Sequence, residues 1–107
     1  MKASTVRVAE VNDIAVARYK DMRAALLDAP GVDRTECEIV VTAQLALLGH
    51  EVPFKLHAIR LFEQAVPRAR LEQAILAGLG VTLVIPQVAQ ALEWIAQAQE
   101  QQHAARA

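Results

Sequence analysis

The strongest constraint on folding lies at positions 39–48. There Ile39, Val40, Val41, Ala43, Leu45, Ala46, Leu47 and Leu48 leave only Thr42 and Gln44 polar. The stretch is bracketed by helix signals. Ahead of it, Asp33 and Glu36 form a D-x-x-E capping box, in which each side chain satisfies a free backbone N–H at a helix start. Behind it, Gly49 suits the residue just past a helix end. A helix that is apolar on nearly all sides has to be covered on most of them. In a chain of 107 residues it is expected to be a central helix that also touches a second subunit.

The flanking segments carry the helical period too. Asn12 or Asp13 can cap a first helix, whose apolar face is Ala15, Tyr19, Met22 and Leu26 and whose stop is Pro30-Gly31. A third helix is expected over 53–65, with Pro53 in its first turn and Phe54, Leu56, Ile59 and Phe62 on its apolar side. Pro67 opens a fourth, with Leu71, Ala74, Ile75, Gly78, Leu79 and Thr82 on one face. Gly78-Leu79-Gly80 falls inside that pattern. It reads as a close helix–helix contact and not as a dinucleotide loop, which needs a third glycine and a preceding strand. Pro86 marks a kink or a new start before a fifth stripe of Val84, Val88, Ala91, Leu92 and Ile95. Residues 1–11, with Val6 and Val8, are expected as a short extended arm, and the polar tail 97–107 is expected to fray. The expected fold is one all-α domain over 1–107, a bundle of about five to six helices.

Composition excludes several functions. Lys and Arg number 11 against 12 Asp and Glu, for a net charge of −1, which argues against a nucleic-acid surface. No run reaches the roughly 18 apolar residues of a membrane span. Residues 1–13 hold no apolar signal-peptide core, and Cys37 has no second cysteine to pair with, so a cytoplasmic, disulfide-free protein is expected. Hydrophobic residues make up 54% of the chain. A domain this small leaves much of its surface in water, so part of its apolar surface is expected to be covered by further copies of itself. The His50-to-His57 spacing fits no zinc motif, and His103 lies in the polar tail, so neither a metal nor a cofactor is expected.

Glu38 opens the apolar helix. It reads either as a carboxylate complementing the helix dipole or as one pointed into a dry pocket, where burial favours proton transfer. His57 lies one short loop away on the next helix. An antiparallel pair would bring the two together, and a carboxylate orients an imidazole and holds its tautomer.

These residues carry a resemblance. Glu38-Ile39-Val40-Val41-Thr42-Ala43-Gln44-Leu45-Ala46-Leu47-Leu48-Gly49 resembles the core helix of the carboxymuconolactone decarboxylase family, which includes the alkylhydroperoxidase-D-like proteins. The separation from Glu38 to His57, 57 − 38 = 19, matches that family's glutamate-to-histidine spacing. Arg70-Leu71-Glu72-Gln73-Ala74-Ile75 and Ile85-Pro86 resemble its later blocks, so the resemblance runs over roughly 24–95. Where the peroxidase branch has C-x-x-C, this chain has His50 and Pro53, which implies the cysteine-free branch that includes the decarboxylase. The chain departs from the family pattern at Arg60, one place later than in H-x-R, at Gln64-Ala65 for N-G, and at Val84 for a glycine.

The resemblance implies a trimer or hexamer of this fold acting on a small carboxylate or lactone. Glu38 and His57 would be catalytic, His50 would line the pocket, and Arg60 or Lys55 would hold a substrate carboxylate. Two other readings stand beside it. One is a non-catalytic oligomeric binding or scaffold protein of the same fold. The other is a peroxidase working through Cys37 alone.

Overall fold

A computed structural model describes residues 3–106. Among them are six helices: α1 (Ser4–Ala9), α2 (Asp13–Leu27), α3 (Arg34–Leu48), α4 (Glu51–Glu63), α5 (Arg68–Leu76) and α6 (Ile85–Arg106). The all-α expectation holds.

Local chemistry explains most of the boundaries. The Asn12 side chain accepts from the Ala15 N–H at 3.0 Å and starts α2. Asp33 accepts from the Glu36 N–H at 3.0 Å and starts α3. Gly49, at φ +74°, closes α3, and the N–H groups of Gly49 and His50 donate to the Ala46 and Leu45 carbonyls. Pro67 precedes α5, and Pro86 sits in the first turn of α6, so Pro86 marks a new start and not a kink.

The core lies among α3, α4, α5 and α6, with α4 packed against both α3 and α6. Phe54, Leu61, Leu71, Ile75 and Ile95 are fully buried. Phe54 meets Trp94 with ring centroids 5.6 Å apart and planes at 55°. The α3 helix turns one stripe inward: Glu38, Ile39, Thr42 and Ala46 are buried. The Thr42 hydroxyl is satisfied within the helix, donating to the Glu38 carbonyl at 2.7 Å. Ala43 and Leu45 are partly buried against the core, and the outer side of α3 is open, with Val40 53% and Leu48 64% exposed. One chain therefore covers α3 on one side only, not on most sides.

Four further expectations are corrected. Val6 and Val8 lie in the helix α1 and not in an extended arm. The fourth helix ends at Leu76, and Gly78-Leu79-Gly80 forms a turn in which the Gly78 carbonyl accepts from the Val81, Thr82 and Leu83 N–H groups. A Cβ on Gly78 would stand 2.6 Å from Thr82 Oγ1, so the close approach is to its own turn and not to another helix. The tail does not fray: α6 runs to Arg106, with Ala98 and Gln102 buried and the Gln99 side chain accepting from Arg68 at 3.1 Å. Finally, the stripe of Tyr19, Met22 and Leu26 is exposed, and α2 buries only Val16.

That last correction reflects the architecture. The α1 and α2 helices pack on each other and touch the body only weakly. The radius of gyration is 14.6 Å, above the about 13 Å of a compact chain this long.

Candidate functional site

The Gly49-His50 connection lets α4 fold back along α3. His57 on α4 thereby faces Glu38 on α3, with Nδ1 and Oε2 3.4 Å apart. Glu38 is buried and His57 half-buried. Both border a groove of about 620 Å³ between the α3–α4 pair and the α1–α2 hairpin.

The groove is cationic. Arg60 on α4 lies three residues, about one helical turn, past His57 and so shares its face. Lys20 and Arg23 project from α2, and Arg34 from the first turn of α3. Arg34 is already paired with Asp28 at 2.6 Å. Among the described residues, Lys20, Arg23 and Arg60 form no ion pair, and Glu38 is the carboxylate bordering the groove.

Burial is the largest influence on His57 and lowers its pKa below the ordinary 6.5. The hydrogen bond to the Glu38 carboxylate opposes it, Arg60 lowers it again, the charge of Glu38 raises it, and Arg23 lowers it. The net effect is an imidazole that is neutral at pH 7. A neutral ring donating Nδ1–H to the Glu38 carboxylate keeps its lone pair on Nε2, where it can take a proton.

The structure brings Glu38, His57 and Arg60 together but not His50 or Lys55. His50 is the exposed N-cap of α4 and lies outside the groove. Seven residues separate it from His57, about 10 Å along a helix axis. Lys55 is buried and donates to Glu51 at 2.6 Å. It sits two residues from His57, about 200° around the helix, which turns it away from the groove. Cys37 is half-buried in a different cleft, with Leu26, Val32 and Val40.

Sequence reasoning missed Lys20 and Arg23. A signal was present: Val16, Lys20, Arg23 and Leu27 recur at i, i+4, i+7 and i+11, a second face of α2. The apolar stripe beside it masked this one.

No family model matches the chain, and no curated protein or solved structure matches it either.

Proposed function

We propose that the protein is a cytoplasmic, cofactor-free acid–base enzyme of the carboxymuconolactone decarboxylase type, acting on a small carboxylated or lactone substrate. The observation that carries the proposal is the Glu38–His57 contact of 3.4 Å on the wall of a cationic groove. The resemblance of 38–49 to that family's core helix, with His57 at the family's spacing, supports it.

The roles follow from the chemistry. Arg60 and Arg23 hold a substrate carboxylate by charge-assisted hydrogen bonds. His57 moves the proton, and Glu38 holds the tautomer and stabilises the imidazolium once formed. In an isomerisation, His57 removes a proton from carbon and returns it to another carbon. In a decarboxylation, the C–CO2 bond breaks and its electron pair delocalises into a conjugated carbonyl of the substrate. His57, having taken one proton from solvent water, then protonates that carbon as the imidazolium, so that the carboxylate and one proton leave as CO2 and a C–H bond.

Glu38→Gln and His57→Ala, assayed by absorbance on a panel of small lactone acids, are expected to lower turnover by roughly 100-fold or more. Unchanged turnover in both variants would end the proposal. Thermal shift on the same panel separates the enzyme from a scaffold of the same fold. Ligand shifts that persist undiminished in both variants, with no turnover in any form, favour the scaffold.

A further inference from the structure

The groove changes character along its length. The α3 and α4 helices run antiparallel, and the Glu38–His57 pair fixes their register. Away from the α3–α4 turn stand Arg34, four residues before Glu38, and Arg60, three residues after His57. Toward the turn stand Val41 and Leu45 of α3 and Pro53 and Leu56 of α4. Each of these four is half-buried, so each keeps apolar surface open to the groove. The other groove residue of the two helices on this side is the uncharged Gln44. Along the α3–α4 wall, charge therefore stops at the Glu38–His57 pair.

Each end suits a different part of a ligand. At the charged end Arg34 is taken up by Asp28, which leaves Arg60, with Arg23 facing it from α2, to hold an anion. An arginine fork matches a carboxylate with two parallel hydrogen bonds. Lys20 is exposed on α2 and stays hydrated at the rim. At the other end, an apolar arm would displace water from the four half-buried side chains, which is favourable in proportion to the area covered. A charge placed there would lose water and gain no charged partner from α3 or α4. Seven residues separate Arg60 from Pro53. That is about 10 Å along the helix axis, the length of an extended chain of about eight carbons. The groove volume of about 620 Å³ falls inside the range of roughly 300–1,000 Å³ usual for small-molecule sites.

We propose that the groove selects an amphipathic monoacid. Arg60 and Arg23 hold its single carboxylate, the carbons nearest that carboxylate lie at His57, and an apolar arm runs over Val41, Leu45, Pro53 and Leu56 toward the α3–α4 turn. The inference deepens the acid–base reading of this groove and rests on it, but binding alone tests it.

The test is a series of straight-chain saturated monoacids from propanoate to octanoate. Binding is followed by NMR through the His57 imidazole signals, assigned by their absence in His57→Ala. Affinity is expected to rise about threefold with each added methylene, against about fourfold for a fully buried one. Octanedioate, which ends the same arm in a second carboxylate, is expected to bind at least tenfold more weakly than octanoate. Arg60→Gln is expected to weaken every monoacid by about tenfold, whatever its length. Leu56→Ala is expected to weaken octanoate by about tenfold and to leave propanoate unchanged, because only the longer arm reaches that side chain.

The wild-type series stands independently of either variant. Affinity that does not change with chain length overturns the proposal. So does octanedioate binding as tightly as octanoate. An Arg60→Gln protein that keeps its affinity removes the carboxylate anchor, and equal losses of propanoate and octanoate in Leu56→Ala remove the apolar end; either result overturns it too. If the series behaves as expected while His57→Ala keeps full turnover on lactone acids, the acid–base reading falls and the ligand class stands. If His57→Ala loses turnover while the series is flat, the ligand class falls and the acid–base reading stands.

Discussion

In α4, Phe54, Ala58 and Leu61 lie along one stripe and are fully buried, whereas in α2 the stripe of Met22 and Leu26 faces outward. Both helices carry an apolar stripe at the same period, yet they differ in what covers it. The α4 helix is enclosed by α3 and α6, while α2 has α1 on one side and a polar groove on another. Amphipathic spacing states that a face will be covered, but not by which molecule. The body of α3–α6 covers its own apolar stripes, and the hairpin leaves one of its stripes open.

The largest effect that could break this contrast is a core truncation. Phe54→Ala removes a fully buried ring and its contact with Trp94. It is expected to cost about 3–5 kcal/mol, as large-to-small changes of an aromatic do. Leu26→Ala, at an exposed position of α2, is expected to stay within about 0.5 kcal/mol. Urea denaturation checks both. Comparable losses would mean that the hairpin is as well packed as the body.

Helix caps sharpen the contrast at a smaller scale, because the same chemistry starts a helix in each region. Asp33→Ala removes the acceptor for the Glu36 N–H and is expected to cost about 1 kcal/mol of global stability. Asn12→Ala removes the equivalent bond to Ala15. It is expected to shift the global transition by no more than a few tenths of a kcal/mol, because a weakly held segment opens locally before the body unfolds. Its effect should surface in hydrogen exchange of α2 alone. Equal global costs would show one cooperative unit.

The same division explains how far the sequence could be read. The caps at Asn12 and Asp33 and the stop at Gly49 are legible because each depends on a side chain and its nearest neighbours. The Glu38–His57 meeting is legible because a two-residue connection forces α4 back along α3. Arg60 follows as the next turn on the same face. The tail is misread because it looks polar while Ala98 and Gln102, four residues apart, turn one narrow stripe inward. The Gly78 turn is misread because Leu71, Ala74, Ile75, Gly78, Leu79 and Thr82 keep a helical period beyond the last helical residue, Leu76. The period of Val16, Lys20, Arg23 and Leu27 marks a second face of α2, but only the tertiary placement of the hairpin sets Arg23 at the groove. His50 and Lys55 are near His57 in sequence, yet helical geometry sets one too far along the axis and turns the other away.

The smallest effect joins the two regions at one titrating group. His57 is held below its ordinary 6.5, first by burial and then by Arg60 from the body and Arg23 from the hairpin, with Glu38 opposing. In the unfolded chain the imidazole takes up its proton near 6.5, while the folded protein keeps it neutral to lower pH. Between those two values the unfolded state binds more protons, so stability rises with pH there. The contribution from His57 is therefore fully present above about pH 6.5 and is lost as pH falls through the folded value. Melting curves from pH 8 to pH 5 are expected to fall more steeply for wild type than for His57→Gln, which lacks the imidazole held low by the fold. Arg23→Gln should lie between them, because it removes the hairpin's share of the cationic influence and leaves burial and Arg60 in place. If Arg23→Gln follows wild type throughout, the hairpin does not act on His57, and body and groove are set by α3 and α4 alone.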